Sequence, residues 1–417
     1  MKADVNYLKE EFFRIYGDRE REPVLFYSPG RVNLIGEHTD YNGGYVFPCA
    51  LDFGTTLLVR QTDEAELRLN SLNFPGEVRI PVALNYLPVP KSWTNYPVGV
   101  INEFARNGIR AHGMEMLFMG DIPNGAGLSS SASIEMVTAV AMNELTGAGL
   151  EMMEMVKMSQ KAENGFVGMN CGIMDQFAVG FGRKGHAISL NCDTLEYRYA
   201  PLNLGDRRLV ITNTNKRRGL TDSKYNERRS ECDRAVELIS VHRPIRHLSE
   251  LTVGDLWMLD SYIDDPVVRK RARHVITENG RTLDAIRALE SNDIELFGKL
   301  MNESHDSLCH DYEVTGMELD TLVYEGRKLP GVIGTRMTGA GFGGCTVSIV
   351  ESQRTDEFIR RLGETYTARI GLVADFYLPG IGDGARRVYQ AAGSRSRSRH
   401  VWIEDPRSDK SDRDSRQ

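Results

Sequence analysis

Four side chains that could do chemistry together lie within a ten-residue stretch near the start of the chain. They are Arg31, Glu37, His38 and Asp40, in the segment 30–44. The segment reads GRVNLIGEHTDYNGG, and an apolar run, VLFY, precedes it. Such a mix of charge and glycine is rare in helices and strands, so we expect a shaped loop on a rigid scaffold, here called the acidic loop. Carboxylates, an imidazole and a tyrosine presented together are typical of a site for a polyhydroxylated ligand, since every hydroxyl both donates and accepts hydrogen bonds.

A second segment, 120–133, has the composition of a phosphate-binding turn. It reads GDIPNGAGLSSSAS and leads into a helix predicted over 130–145. Gly125 and Gly127 let backbone N–H groups approach a ligand closely, and three serines then enter the helix, whose N-terminus favours anions. An ordinary helix cap would explain one serine, but the glycines and three serines together favour a phosphate site. This serine loop is not a Walker loop, because no Gly-Lys-Ser/Thr follows the glycines.

A third segment, 336–345, is rich in glycine and fits a β-connection better than a dinucleotide site. Its glycines satisfy the G-x-G-x-x-G spacing, which opens a helix when it binds a dinucleotide. A β-type run, CTVSIV, follows instead. We therefore expect this glycine-rich connection to pack near the serine loop, and a dinucleotide-dependent enzyme is a poor interpretation.

An acid in an apolar setting is a candidate for catalysis. Asp175 lies among Ile173, Met174 and Phe177, where a carboxylate is costly unless it has a partner or a task. Taken alone, it could equally form a structural ion pair with an arginine. Glu163, twelve residues earlier, would on its own be interpreted as a solvated helix residue.

These segments together resemble known signatures. The acidic loop resembles, almost letter for letter, the sugar-recognition signature of galactokinases. The serine loop and the glycine-rich connection resemble the second and third signatures of the GHMP kinases, the superfamily of galactokinases. The segments 163–176 and 213–232 are similar to galactokinase sequence too, and the resemblance covers about residues 5–390.

The resemblance implies an α+β, two-domain GHMP kinase fold with the active site in the cleft between the lobes. The expected parts are an N-terminal mixed α/β lobe over 1–205, a ferredoxin-like C-terminal lobe over 206–393 and a tail over 394–417. The tail is mixed in charge and shows no periodicity, so we expect it to be disordered.

A role for each matching residue is also implied. Asp175 would face the anomeric hydroxyl of the sugar as the base, oriented by Arg31. Magnesium, a hard cation, would be held by Ser131 and Glu163. The expected sugar ligands are Glu37, His38, Thr39, Asp40, Gly172 and Tyr225. The expected ATP ligands are Ser71, Gly125, Ala126, Gly127, Leu128, Ser129, Ser130 and Ser131.

Hydrophobic periodicity predicts alternating helices and strands in the first half and a mostly helical segment over 221–328. Helices are expected over 5–16, 96–106, 130–145, 151–164 and 355–369. Strands are expected over 23–28, 55–60, 66–72, 77–82, 114–119, 185–191, 195–200, 208–213 and 373–379, with a strand–turn–strand unit over 332–350.

Composition limits the classes of partner. The 417 residues carry a formal net charge of −7, which argues against nucleic acid or an anionic membrane. No apolar run is long enough for a membrane span, and the N-terminus lacks a signal core. The six cysteines are far apart without metal-type spacing, so we expect free thiols in the cytoplasm. The expected partners are small molecules only, bound by a monomer.

The function implied by the resemblance is ATP-dependent phosphorylation of α-D-galactose at the C1 hydroxyl, giving galactose 1-phosphate in galactose catabolism through the Leloir pathway. One alternative is a related sugar 1-kinase, such as an N-acetylgalactosamine kinase. The other is a non-catalytic sensor of galactose and ATP. Such sensors lose residues from the serine loop, whereas residues 127–132 are complete in this chain.

Overall fold

Three β-sheets organise the chain in the computed structural model, which describes residues 5–123, 126–216 and 221–389. The strands are β1 Val24–Asn33, β2 Tyr45–Val46, β3 Pro48–Thr62, β4 Glu66–Ser71, β5 Val78–Pro81, β6 Gly113–Gly120, β7 His186–Asn191, β8 Tyr197–Pro201, β9 Arg207–Asn213, β10 Val332–Thr338, β11 Cys345–Glu351, β12 Asp375–Tyr377 and β13 Arg386–Arg387. The helices are α1 Val5–Tyr16, α2 Asn95–Arg106, α3 Ser130–Thr146, α4 Met152–Ala162, α5 Met174–Phe181, α6 Thr221–Ser240, α7 Trp257–Tyr262, α8 Pro266–Glu290, α9 Ile294–Ser307, α10 Met317–Gly326 and α11 Thr355–Ile370.

The first lobe is built on a six-stranded sheet in the order β13-β1-β3-β6-β4-β5. Its pairs are antiparallel except β4 with β6. Helices α2 to α5 cover one face with an apolar core that includes Phe104, Met136 and Phe177. Helix α1 covers the other face, because Leu8 and Phe12, four residues apart, lie on one side of the helix and are fully buried.

The second lobe contains the antiparallel sheet β10-β11-β9-β12. Successive side chains of β9 point to opposite faces: Leu209 and Ile211 pack in the core that also contains Phe297 of α9, and Val210 packs with Phe358 of α11. The core on the α9 side also contains apolar residues of β1 and β3. The two lobes therefore share a continuous hydrophobic interface.

The end of the described chain returns to the first lobe. Strand β13 pairs antiparallel with β1, and the Gly384 N–H donates to the Gly182 carbonyl at 2.8 Å. The expected second lobe, 206–393, thus includes a strand of the first sheet, and the boundary near residue 205 stays a prediction. The tail over 394–417 lies outside the described residues, whose helices include none long and apolar enough to cross a membrane.

The expectation of a loop over the whole of 30–44 is wrong for its first four residues. Strand β1 continues to Asn33, where it pairs with Pro48 of β3 after a register shift between Pro29 and Arg31. Residues 28–33 are buried, so this part of the strand lacks the alternation of exposed and buried positions by which a strand is recognised. Arg31 therefore stands on a strand, next to an irregularity that changes the direction of its side chain.

Candidate active site

A cavity of about 310 Å³ opens between the lobes, where the acidic loop, the serine loop and the glycine-rich connection meet. Most of the residues that the sequence singled out line it. They are Arg31, Glu37, His38, Asp40, Gly127, Ser129, Ser130, Ser131, Glu163, Gly172, Asp175 and Tyr225.

The other predicted residues lie elsewhere. Thr39 is buried and donates to the carbonyl oxygens of Gly36 and Tyr45, so its hydroxyl shapes the acidic loop instead of lining the cavity. The side chains of Ala126 and Leu128 are also buried. Ser71 lines a neighbouring cavity, and Gly125 lies outside the described residues.

Asp175 is held by two partners in the first turn of α5. The Arg31 guanidinium donates in a fork, from Nε to Oδ1 at 2.7 Å and from Nη2 to Oδ2 at 2.8 Å. The Ser129 hydroxyl donates to Oδ2 at 2.6 Å. Arg31 is 4% exposed, and its Nη1 donates to the Gly127 carbonyl at 2.7 Å. This bidentate pair fixes the carboxylate at the cavity wall and joins it to the serine loop.

Ser129 adopts an unusual backbone conformation. Its φ of 60° and ψ of 50° are left-handed, which is uncommon for a residue other than glycine and is often found where function requires it. The conformation places the hydroxyl on Asp175 instead of on the N-terminus of α3. Any contact of Ser129 with a nucleotide would therefore use its backbone, and its role as an ATP ligand stays a prediction.

Helix α8 packs against the acidic loop and stabilises its shape. The helix begins after Asp265, whose carboxylate accepts from two backbone N–H groups of its first turn. It carries His274, whose Nε2 lies 3.1 Å from the Glu37 carbonyl, and Glu278, whose Oε1 accepts from the Gly36 N–H at 3.0 Å. Burial alone would raise the pKa of Glu278, but nearby cations lower it to about 2, so the group is a carboxylate. The shape of the loop thus depends on the second lobe.

Glu37 spans the cleft. Its Oε1 accepts from the Gly339 N–H at 2.7 Å and lies 3.4 Å from Arg336 Nη1, both in the glycine-rich connection. The side chain is 2% exposed, and Arg336 is fully buried. Besides facing the cavity, the Glu37 carboxylate therefore binds the two lobes together.

The surroundings of the Asp40 carboxyl group disfavour its charged form. Burial raises its pKa to about 7, and the neighbouring carboxylates of Asp175 and Glu37 add to the effect. Gly172 leaves no space beside it: a Cβ at that position would lie 2.0 Å from the Asp40 Oδ2. The Tyr225 ring closes the same side of the cavity, with its centroid 5.7 Å from that of His38.

Glu163 and Ser131 form an oxygen-rich corner of the cavity. Burial raises the pKa of Glu163 to about 7, with Asp175 adding to this effect, while a hydrogen bond from Ser131 lowers it. The Gln176 amide donates to Glu163 at 2.5 Å and to Glu135 at 3.0 Å. Sequence reasoning missed Glu135, although it stands four residues after Ser131 on the same side of α3.

The donor set of this corner suits magnesium. No group of three His, Cys, Asp or Glu that could hold a metal occurs in the described part of the chain. A carboxylate and a serine hydroxyl remain, and magnesium is commonly bound by one or two such ligands together with waters and phosphate oxygens.

A cavity of about 150 Å³ adjoins the serine loop and is partly aromatic. Ser71, Phe74, Trp93, Ser130 and Ser131 line it, and the rings of Phe74 and Trp93 are stacked with centroids 6.3 Å apart. The predicted nucleotide ligands Ser71 and Ser131 thus line the same cavity as Phe74 and Trp93. Sequence reasoning did not single out these two aromatic residues. Phe74 stands in the turn-type sequence NFPG, and Trp93 carries no comparable sequence signal.

Comparison with known proteins agrees with this geometry. The chain matches the family models for the galactokinase galactose-binding signature over residues 10–61, the GHMP kinases N-terminal domain over 95–183 and the GHMP kinases C-terminal domain over 285–368. It is 52% identical over 388 residues to a galactokinase of Clostridium beijerinckii, covering 92% of this chain and 99% of that protein. The chain belongs to the galactokinase family. A galactokinase of Bacillus subtilis is 48% identical over 384 residues, covering 91% of this chain and 98% of that one.

Solved structures place the chain in the same family. The crystal structure of Lactococcus lactis galactokinase complexed with galactose matches with a TM-score of 0.90 and 43% identity, covering 92% of this chain and 99% of that one. The mevalonate kinase of Methanococcus jannaschii, 20% identical with a TM-score of 0.64 and covering 88% of this chain and all of that one, shares the fold. The resemblance to galactokinases, the α+β two-domain GHMP kinase fold and the assignment as a kinase are confirmed. The roles of individual site residues stay predictions.

Proposed function

We propose that the protein transfers the γ-phosphoryl group of ATP to the C1 hydroxyl of α-D-galactose, giving galactose 1-phosphate and ADP. The observation that carries this proposal is the Asp175 carboxylate, held by Arg31 between the acidic loop and the serine loop. One loop offers acceptors and donors for a sugar, and the other offers backbone N–H groups and hydroxyls for phosphate.

Asp175 would take the proton of the C1 hydroxyl as the sugar oxygen bonds to the γ-phosphorus. The bond from that phosphorus to the β–γ bridging oxygen breaks, and the electron pair leaves with ADP. Phosphoryl transfer depends mostly on positioning and on neutralising charge. Arg31 would have two roles. It orients Asp175, and through its hydrogen bond to the Gly127 carbonyl it brings a positive charge to the serine loop.

Ser131 and Glu163 would hold Mg²⁺, as argued from their oxygen donors. Bound there, the ion would neutralise charge on the β- and γ-phosphates. The aromatic cavity lined by Phe74 and Trp93 would take the adenine ring, because a flat apolar space suits a planar base.

Small molecules are the proposed partners, and the protein is proposed to act as a cytoplasmic monomer that contacts neither nucleic acid nor membrane. None of the six cysteines forms a disulfide, as is typical of proteins in a reducing compartment. The net charge of −7 gives the surface little attraction for polyanions.

The test is turnover on a panel of sugars. Galactose, ATP and Mg²⁺ should give a sugar phosphate that is labile to acid, with ADP released in equal amount. N-acetylgalactosamine serves as the competing substrate, and a preference for it would make the protein a related sugar 1-kinase. Binding of galactose and ATP without turnover of any hexose would support the sensor instead.

Galactose binding should weaken as the pH falls. Burial raises the pKa of Asp40 to about 7, with Asp175 and Glu37 adding to this effect and Arg229 opposing it. Below that pKa the carboxyl group is protonated and loses an acceptor for sugar hydroxyls, so Kd should rise by about tenfold between pH 8 and pH 6. Calorimetry without nucleotide measures it. Asp40→Asn should bind weakly with a flat profile, and the same slope in that variant would assign the titration to another group.

Replacing Trp93 with alanine should raise KM for ATP by about tenfold and leave the Kd for galactose unchanged, because stacking on a base is lost. Steady-state kinetics at saturating galactose measure this. Trp257→Ala is the matched control, since that tryptophan is 57% exposed on α7 and does not line the aromatic cavity. Equal effects of the two variants would contradict the assignment of the adenine site.

A further inference from the structure

Behind the His38 imidazole, polar side chains from both lobes form a chain of hydrogen bonds. The His38 Nδ1 lies 2.9 Å from the Tyr41 hydroxyl, which lies 2.6 Å from the Tyr312 hydroxyl. The Tyr312 hydroxyl is in turn 3.2 Å from the Cys232 Sγ. Cys232 stands on α6 and Tyr312 ends a π-helical turn after α9, so the chain joins the acidic loop to the second lobe.

Three of the four residues in this series are shielded from solvent, and Tyr41 is half-buried. His38 is 4% exposed, and Tyr312 and Cys232 are fully buried. Burial lowers the pKa of His38 to about 3, so the imidazole is neutral and carries a single proton. Leaving a buried donor without an acceptor is costly, and each hydroxyl must therefore donate to one neighbour and accept from the other.

The relative strengths of the donors and acceptors set the direction of these hydrogen bonds. A phenol is a stronger donor than a neutral imidazole N–H, and an imidazole nitrogen is a stronger acceptor than a phenol oxygen, so Tyr41 donates to Nδ1. In this direction the Tyr41 oxygen accepts from Tyr312 and the Tyr312 oxygen accepts from Cys232, an assignment that the two distances allow. Burial raises the pKa of Cys232 to about 12, which keeps its S–H proton in place.

The environment of the other ring nitrogen of His38, Nε2, agrees with this direction of the hydrogen bonds. With Nδ1 as an acceptor, the single ring proton lies on Nε2. This atom is buried, and it has no hydrogen-bond partner among the described residues. The residue itself lines the cavity between the lobes. The Ala340 backbone carbonyl lies near the ring and raises the pKa of His38 against the larger effect of burial, but it forms no hydrogen bond of normal geometry with Nε2.

We propose that Tyr41 and Tyr312 are positioning residues that hold His38 as the Nε2–H tautomer, so that it donates to one hydroxyl of the sugar. This inference rests on the proposed function for the identity of the sugar. Neither tyrosine touches the sugar in this arrangement. By fixing the tautomer of His38, the two tyrosine hydroxyls determine which orientation of the sugar hydroxyl the site accepts.

The tautomer of His38 can be measured in the absence of sugar. Two-bond ¹H–¹⁵N correlation spectra of ¹⁵N-histidine-labelled protein should show the His38 Nε2–H form, and Tyr41→Phe should give a mixture of both tautomers. Tyr16→Phe is the matched control, because Tyr16 is also buried and its hydroxyl donates to the Met116 carbonyl at 2.8 Å, far from the cavity. A dominant Nδ1–H form in the unaltered protein overturns the proposal.

Sugar analogues test the consequence. At the hydroxyl that faces His38, a fluoro analogue of galactose should bind better than the deoxy analogue, since fluorine accepts but does not donate. Tyr41→Phe should reduce this preference and weaken galactose binding by about tenfold, with kcat changed less than about twofold. Tyr312→Phe should act in the same direction, and Tyr16→Phe should not. Equal binding of fluoro and deoxy analogues at every position overturns the proposal, whereas no galactose binding at all, with the Nε2–H form present, overturns only the proposed function.

Discussion

Replacing Asp175 with asparagine is expected to lower kcat by at least about a hundredfold while galactose binding is retained. Asparagine keeps the size of the side chain but cannot take a proton from the C1 hydroxyl. It also leaves the buried Arg31 without its ionic partner, which should lower the thermal stability. Steady-state kinetics give kcat, calorimetry gives the Kd for galactose, and a melting curve separates the loss of chemistry from a loss of fold.

Asp52→Asn is the control for that variant. Asp52 is a partly buried carboxylate of the same lobe that accepts from the Gly380 N–H at 2.9 Å and does not line the cavity. Its replacement should leave kcat within about twofold of the parent value, as is usual for residues away from the site. Near-normal kcat in Asp175→Asn would exclude Asp175 as the base and favour direct transfer from the hydroxyl.

Replacing Gly172 with alanine is expected to raise KM for galactose by at least about tenfold, with the KM for ATP unchanged. The added Cβ would meet the Asp40 Oδ2 at 2.0 Å and its Cγ at 2.4 Å, so the carboxylate must move out of position. A displaced ligand weakens sugar binding even though no hydrogen-bonding group has been removed.

Gly165→Ala is the matched control, because a Cβ at Gly165 meets no atom within 4 Å. It should leave both KM values close to those of the parent protein. Substrate titrations on the two variants measure the difference. An unchanged KM for galactose in Gly172→Ala would show that Asp40 can shift without loss and is not a sugar ligand.

Local periodicity predicted much of the fold. The helix expected over 5–16 is α1, and the helix expected over 355–369 is α11 to within one residue. Elements that depend on distant pairing were missed. Strand β13 has only two residues, and it is a strand because β1 lies beside it, which no local pattern records.

The site was predictable where its residues stand in recognisable motifs. Arg31 and Asp175 are 144 positions apart, yet each occurs in a motif, and the structure pairs them. Glu135, Trp93 and Tyr312 were missed for a different reason. Each is an ordinary core or surface residue by type and spacing, and its proposed role depends on contacts that the three-dimensional fold creates.

The double use of Glu37 limits how this protein could change its substrate. Its carboxylate faces the proposed sugar cavity and also accepts from the Gly339 N–H. The glycine-rich connection packs closely there, since a Cβ added at Gly339 would lie 2.9 Å from the Gly127 carbonyl. A substitution at Glu37 would therefore loosen the contact between the lobes as well as alter sugar recognition. Laboratory evolution toward other hexoses should accept changes at Asp40 or Tyr225 more readily than at Glu37, because those side chains can adapt without weakening the joint between the lobes.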